Sequence, residues 1–197
     1  MAVDAGRIEA AVLEILEAIG EDTSRPGLAT TPRRVAEAYA DFFAGVGADP
    51  REHLRESVPS EANGELVLLR DIDFRSTCEH HLLPFVGVAH VAYLPGERIV
   101  GLGRLPRVVE TVASRPQLQE RATEQIADAL HDALAPRGVV VVIDAVHGCV
   151  ASRGTRQTRS STVTLASRGV FSDPVARAEV MALIGSGHPL QPRGDHD

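Results

Sequence analysis

The order of periodicities along this chain predicts an α+β fold built on a mainly antiparallel sheet. Three features carry the prediction. Apolar residues recur at helical spacing near both ends, β-branched or alternating runs cluster in two blocks, and two further helical segments separate those blocks. Written out, the order is αα, βββ, αα, ββ, α, with helices and strands grouped.

The first helix carries the stripe Ile8, Val12, Ile15, Leu16, Ile19 and stops at Gly20, a C-cap residue. Thr31-Pro32 opens the second, with Thr31 as N-cap and proline at the first helical position, and Val35, Ala38, Tyr39 and Phe42 form its apolar face up to Gly45. Residues 45–63 are polar and irregular and read as a connecting loop with room for a short helix. Residues 1–63 thus form a helical extension on a main domain at 64–184, and 185–197 read as a tail. In the main domain, Leu66–Leu69 with Ile72–Phe74 predicts a strand that gives way to turn-like residues from Ser76. Val86–Tyr93 is a second strand, turned by Pro95-Gly96 into a third through Ile99-Val100. Leu105–Val112 is helical, and after Arg115-Pro116 a longer helix follows with the face Leu118, Ala122, Ile126, Leu130, Leu134, ended by Pro136-Arg137-Gly138. Val139–Val146 is a buried strand, Ser161–Leu165 alternates as another, and Pro174–Ile184 closes the chain as a helix.

Composition narrows the function classes. With 197 residues, 44% hydrophobic and 24% charged, the chain suits one medium domain with a real core, and neither a disordered nor a collagen-like chain. A net charge of −7 speaks against a general nucleic-acid binder. No apolar run reaches membrane-span length, and Met1-Ala2-Val3-Asp4 has no signal-peptide character, so no membrane partner and a cytoplasmic location are expected. All 20 basic residues other than histidine are arginine, so no lysine is present for Schiff-base chemistry.

Chemistry concentrates in two short segments, Ser76-Thr77-Cys78-Glu79-His80-His81 after a strand and His147-Gly148-Cys149 at the end of another. Thiolate and imidazole are preferred zinc ligands, and Cys78-x-x-His81 has the spacing of a chelating turn. An extended His147–Cys149 would point both side chains to one side. Two readings compete at this level. Cys78, His81, His147 and Cys149 close a four-ligand structural zinc site, or Cys78, His81 and Cys149 bind zinc with the fourth position open to water and His80 and His147 free to move protons. Arg104 and Arg107 after Gly101-Leu102-Gly103, and Arg153 beyond Cys149, form a cationic group suited to a phosphate chain, although any one of them alone is an ordinary surface charge. Glu120, in Arg115-Pro116-Gln117-Leu118-Gln119-Glu120-Arg121, is either a helix-start carboxylate or an acceptor for an amidine edge such as that of guanine.

Together these segments resemble the GTP cyclohydrolase I family. The marks run from Thr31 to about Phe171: Thr31-Pro32-x-Arg34-Val35-Ala36, Cys78-Glu79-His80-His81, Gly101-Leu102 with Arg107, Arg115-Pro116-Gln117-x-Gln119-Glu120-Arg121, His147-x-Cys149 with Arg153-Gly154, and Ser161-Thr162-Val163-Thr164. The resemblance implies zinc held by Cys78, His81 and Cys149, with water at the open position adding to C8 of GTP. His147 would protonate N7 and His80 would handle a second proton near the ribose. Formate would leave and the ring reclose to 7,8-dihydroneopterin triphosphate. It assigns Gln119 and Glu120 to the guanine, and Arg107, Arg153, Arg104 and a neighbouring subunit's Arg34 to the triphosphate. It further implies a T-fold with a mainly antiparallel four-stranded sheet, helices on one face and an N-terminal helical extension. Its subunits would pair sheets into barrels as a homodecamer of two pentamers.

Two departures stand out. Gly103-Arg104 replaces the Ser-Lys usual in the family, and Glu37 replaces a cation three residues after Arg34. An acid beside a triphosphate repels it unless Glu37 pairs with Arg33 at i,i+4, so weaker GTP binding with ring opening retained is expected. A specialised paralogue feeding a 7-deazapurine or other pterin pathway, a catalytically silent nucleotide binder, and the nitrile-reductase branch of the T-fold are the alternatives.

Overall fold

The computed structural model describes residues 3–60 and 64–186. The expected tail beyond 186 and the extension boundary at 63 lie outside the described residues. Helix α1 (Ala5–Ala18) starts at Asp4, whose carboxylate accepts the Arg7 N–H at 3.1 Å. It ends as expected at Gly20, with φ 82°: the Gly20 N–H bonds Glu17 C=O at 2.9 Å and the Glu21 N–H bonds Leu16 C=O at 3.0 Å. Helix α2 (Thr31–Phe42) is capped one residue earlier than expected, at Thr30, with Pro32 in its first turn. The two helices pack on each other, and α1 buries no residue fully.

The expected loop at 45–63 contains a short 3₁₀ turn, Pro50–Leu54, and a strand absent from the sequence reading, β1 (Ser57–Pro59). β1 takes up β4 (Arg98–Val100) as a separate antiparallel ribbon. The expected third strand therefore does not join the main sheet.

That sheet has five strands in the order β5-β2-β3-β6-β7. Four are antiparallel: β2 (Val67–Cys78), β3 (Pro84–Leu94), β6 (Gly138–His147) and β7 (Thr162–Gly169). The fifth, β5 (Pro116–Gln117), is a two-residue parallel addition beside Thr77 and Cys78, which corrects the expected four-stranded sheet. Strand β2 also runs through Ser76–Cys78, where turn residues were expected.

One irregularity in β2 decides where the functional residues point. Leu69 pairs with Val91 but Ile72 with Ala89, so three steps on β2 match two on β3. The extra residue falls at a bulge whose Asp71 adopts φ 57°. A one-residue offset flips every later side chain to the other face. Val67 and Leu69 before the bulge, and Ile72, Phe74 and Cys78 after it, consequently share one side of the sheet with Phe85, Ala89 and Val91 of β3 and Val139, Val141, Ile143 and Ala145 of β6.

Helices α3 (Arg104–Ala113) and α4 (Gln119–Leu134) cover that side, burying Leu105, Val108, Val109 and Val112, and Ala122, Ile126, Leu130 and Leu134. Helices do not lie on one face alone. α6 (Pro174–Gly185) places Val180 on the opposite side with Ala92, Val140, Val142 and Phe171, because β6 is apolar at both parities over Val139–Ile143 and each face must be covered.

Candidate metal and catalytic site

Residues 79–83 link β2 to β3 in a tight turn. The Cys78 N–H bonds Leu83 C=O at 2.9 Å, and the Leu82 N–H bonds Cys78 C=O at 2.8 Å with Leu82 held at φ 52°. This turn folds His81 back toward Cys78, with Nδ1 3.9 Å from Sγ. Glu79 leaves on the other side, where both oxygens take the Arg121 guanidinium at 2.5 and 3.1 Å. That contact ties the turn to α4 and lowers the Glu79 pKa.

The second segment is not extended through Cys149, so the same-side geometry of an extended His147–Cys149 does not apply. His147 ends β6, and Gly148–Ala151 form a single helical turn, α5. Gly148 makes this possible: a Cβ there would lie 2.6 Å from the Pro84 carbonyl oxygen. The turn swings Cys149 toward the hairpin, so the ligand atoms of Cys78, His81 and Cys149 all lie within 4.8 Å of one another. Both thiols are free. Burial, and then the neighbouring Cys78 sulfur, push the Cys149 thiol above its ordinary pKa. Two thiols and one imidazole converging at this spacing are a soft donor set that fits zinc. No fourth Cys, His, Asp or Glu joins the cluster among the described residues.

His147 stands beside the cluster with its ring committed elsewhere. Phe85, its register partner on β3, stacks on it at 4.6 Å and 7°. Its Nε2 lies 2.7 Å from Gln119 Oε1. Burial lowers its pKa, only partly offset by the Glu120 charge. His80 is exposed, its ring 6.1 Å from that of His81. Glu120 is exposed in the first turn of α4.

Gln119, expected to face a base, is instead buried at 1% exposure. Its amide nitrogen faces Ile143 C=O at 3.0 Å, Thr162 C=O at 2.8 Å and Thr164 Oγ1 at 3.1 Å. Sequence reasoning missed this packing and the Phe85 stack. The signal for the former was present, since Gln119 falls in register with Ala122, Thr123 and Ile126 on the buried stripe of α4.

Among the cations, Arg34, Arg107 and Arg153 are exposed with no ion pair among the described residues. Arg104 is paired with Glu56. Glu37 does pair with Arg33, at 2.5 Å, as the i,i+4 spacing allows. A groove of about 720 Å³ between α2, β2 and α3 contains none of these residues. Asp41, Asp73 and Glu110 outnumber Arg75 along it, a net negative lining that disfavours a triphosphate.

The family model for GTP cyclohydrolase I matches residues 8–185 of this chain. The chain belongs to the GTP cyclohydrolase I family. Relatives named GTP cyclohydrolase 1 agree along nearly the whole length. The protein of Leifsonia xyli subsp. xyli is 64% identical over 185 residues, 93% of this chain and 97% of its own. That of Carboxydothermus hydrogenoformans is 56% identical, covering 96% and 99% respectively, and that of Bacillus subtilis 54%, covering 92% and 96%. A solved archaeosine synthase QueF-like structure in the apo form overlaps 56% of this chain and 97% of its own at 15% identity and a TM-score of 0.42, too loose a likeness to bear on the fold. Family membership makes the chain an enzyme, a GTP cyclohydrolase. Among the described residues no helix is long and apolar enough to cross a membrane.

Proposed function

We propose that this enzyme opens the imidazole ring of GTP at C8, releases formate and forms 7,8-dihydroneopterin triphosphate, with zinc held by Cys78, His81 and Cys149. The observation that carries the reading is the convergence of those three ligand atoms while His80 and His147 stand outside the cluster. A structural zinc site would use up its histidines; this one leaves two. When bound, zinc supplies a Lewis acid able to bring the pKa of water down to about 7. The chain's own residues do the rest. His147 delivers a proton to N7 as C8 is attacked, and His80 handles a second proton near the ribose. Glu120 accepts the guanine N1–H and 2-amino group. Arg107, Arg153, Arg104 and a neighbouring subunit's Arg34 hold the triphosphate, Arg104 exchanging Glu56 for it.

We further propose the T-fold decamer of two pentamers. Val86, Val146, Val163 and Leu165 are exposed on the sheet face away from α3 and α4, and among the described residues β7 is bonded to a strand on one side only. An open edge and the apolar residues that α6 leaves exposed on that face favour sheet-to-sheet assembly. A charged nucleotide substrate suits a cytoplasmic enzyme.

The test is GTP turnover and metal content measured on one sample. Formate and a pterin absorbance that chelation abolishes and zinc restores are the expected result. Tight zinc binding without product would overturn the reading in favour of a silent nucleotide binder.

A further inference from the structure

The amide of Gln119 has only one orientation that satisfies its surroundings. Two of its neighbours, Ile143 C=O and Thr162 C=O, are backbone oxygens that can only accept. They require the NH₂ end of the amide between them. The side chain's oxygen is then turned to His147 Nε2 at 2.7 Å, and an amide oxygen can only accept. Hydroxyls reinforce this arrangement. Thr123 Oγ1 donates to Gln119 C=O at 2.7 Å, so the 2.6 Å contact between Thr123 and Thr164 uses the Thr164 proton. Thr164 Oγ1, at 3.1 Å, is left as an acceptor that shares one of the two Gln119 amide hydrogens. Every link of this chain has one direction, and it ends by demanding a hydrogen on Nε2 of His147.

The same contacts fix the ring in space. Phe85 covers one face at 4.6 Å, and Gln119 holds the Nε2 corner. Nδ1 makes no hydrogen bond to any described residue. We propose that Gln119 is a positioning residue: it holds His147 in the Nε2–H form and in a fixed plane, and so makes Nδ1 the ring atom that meets the substrate, where its lone pair takes up the proton lost by the water that attacks C8 and then passes it to N7. This rests on the cyclohydrolase reading for the identity of the substrate, but the assignment of Nε2 and Nδ1 does not. It also separates Gln119 from its neighbour Glu120. The buried amide orients the histidine, and the exposed carboxylate is the group left to read the base.

The test has two arms. In zinc-loaded wild-type protein carrying ¹⁵N-labelled histidine, the His147 ring should show Nε2 bearing the hydrogen and Nδ1 as the lone-pair nitrogen. The opposite assignment overturns the proposal whether or not the protein turns over GTP, and whether or not any variant folds. In Gln119→Met, which matches the side chain's length but has no acceptor for His147, kcat should fall roughly 10- to 100-fold, as for a misplaced catalytic group. KM for GTP and zinc content should change by less than about twofold, and Gln119→Glu, whose carboxylic acid can turn its O–H to the two carbonyls and its other oxygen to Nε2, should recover part of kcat. A raised KM with kcat preserved, together with lost preference for GTP over ATP, would show that Gln119 reads the base directly and would overturn the proposal. Wild-type protein that has the expected ring form but no GTP turnover would instead count against the cyclohydrolase reading alone.

Discussion

Gly148→Ala tests how the site is built. The added Cβ would meet the Pro84 carbonyl oxygen at 2.6 Å, and Leu83 Cβ and Pro84 C at 3.7 Å. The close contact is with backbone, so no side chain can rotate away; either β3 or the α5 turn must move by several tenths of an ångström. Forced overpacking of this kind costs about 1–3 kcal/mol. At about 2–4 °C per kcal/mol for a chain of this size, Tm should fall by roughly 2–12 °C. The displacement bears on Cys149, one residue away, and a metal site tolerates ligand shifts of only about 0.2 Å. Zinc retention against a competing chelator should therefore weaken along with Tm. Gly103→Ala is the matched control, because a Cβ there meets nothing within 4 Å and the backbone is not left-handed; both quantities should stay at wild-type values. Thermal unfolding and chelator competition on the two variants decide the matter. Wild-type Tm and zinc retention in Gly148→Ala would refute the claim that this glycine shapes the site.

Three further outcomes are expected. Ile126→Ala, at a position with 0% exposure between α4 and the sheet, should cost about 2–5 kcal/mol in denaturant unfolding, and a loss below about 1 kcal/mol would mean that the α4 interface is not packed as described. His90 should make the fold acid-labile: burial lowers its pKa against the opposing Asp71, so the unfolded chain takes up the proton first, and stability that is full above about pH 6.5 declines as pH falls below it. His90→Gln should flatten that decline, and an unchanged stability profile would exclude His90 as its source. Glu37→Lys should tighten GTP binding by about fivefold, on the scale of about 1 kcal/mol for an exposed charge contact, because the solvent-exposed Arg33 pair only partly screens the Glu37 charge; Tm should not move, since breaking an exposed pair costs little. Equal GTP affinity in the two proteins would show that residue 37 lies away from the phosphates.

The sequence by itself determined most element types, among them the helix ending at Leu134 and the β-branched strand at Val139–Val146, because periodicity is a local property; ligand chemistry named Cys78, His81 and Cys149 as donors but left His147 open as a fourth, and the family resemblance made that choice. The sequence also held the Schellman ending of α1 at Gly20 and the Arg33–Glu37 pair, both set within one or two turns of helix. Only the tertiary structure decided what depends on two segments meeting. The bulge at Asp71 puts Cys78 on the helix-covered face, and nothing local to Cys78 announces that parity. The turn at 148 packs against the Pro84 carbonyl of another strand at a distance that leaves no room for a Cβ, which Gly148 alone does not announce. β4 pairs with β1 instead of the main sheet, a choice between two edges that a three-residue strand cannot encode alone. Gln119 looked like a polar residue free to meet a ligand. Its amide is instead satisfied by Ile143, Thr162 and Thr164, residues 24 to 45 positions away, and which groups complete a hydrogen-bond network is settled when the strands and helix that carry them pack together.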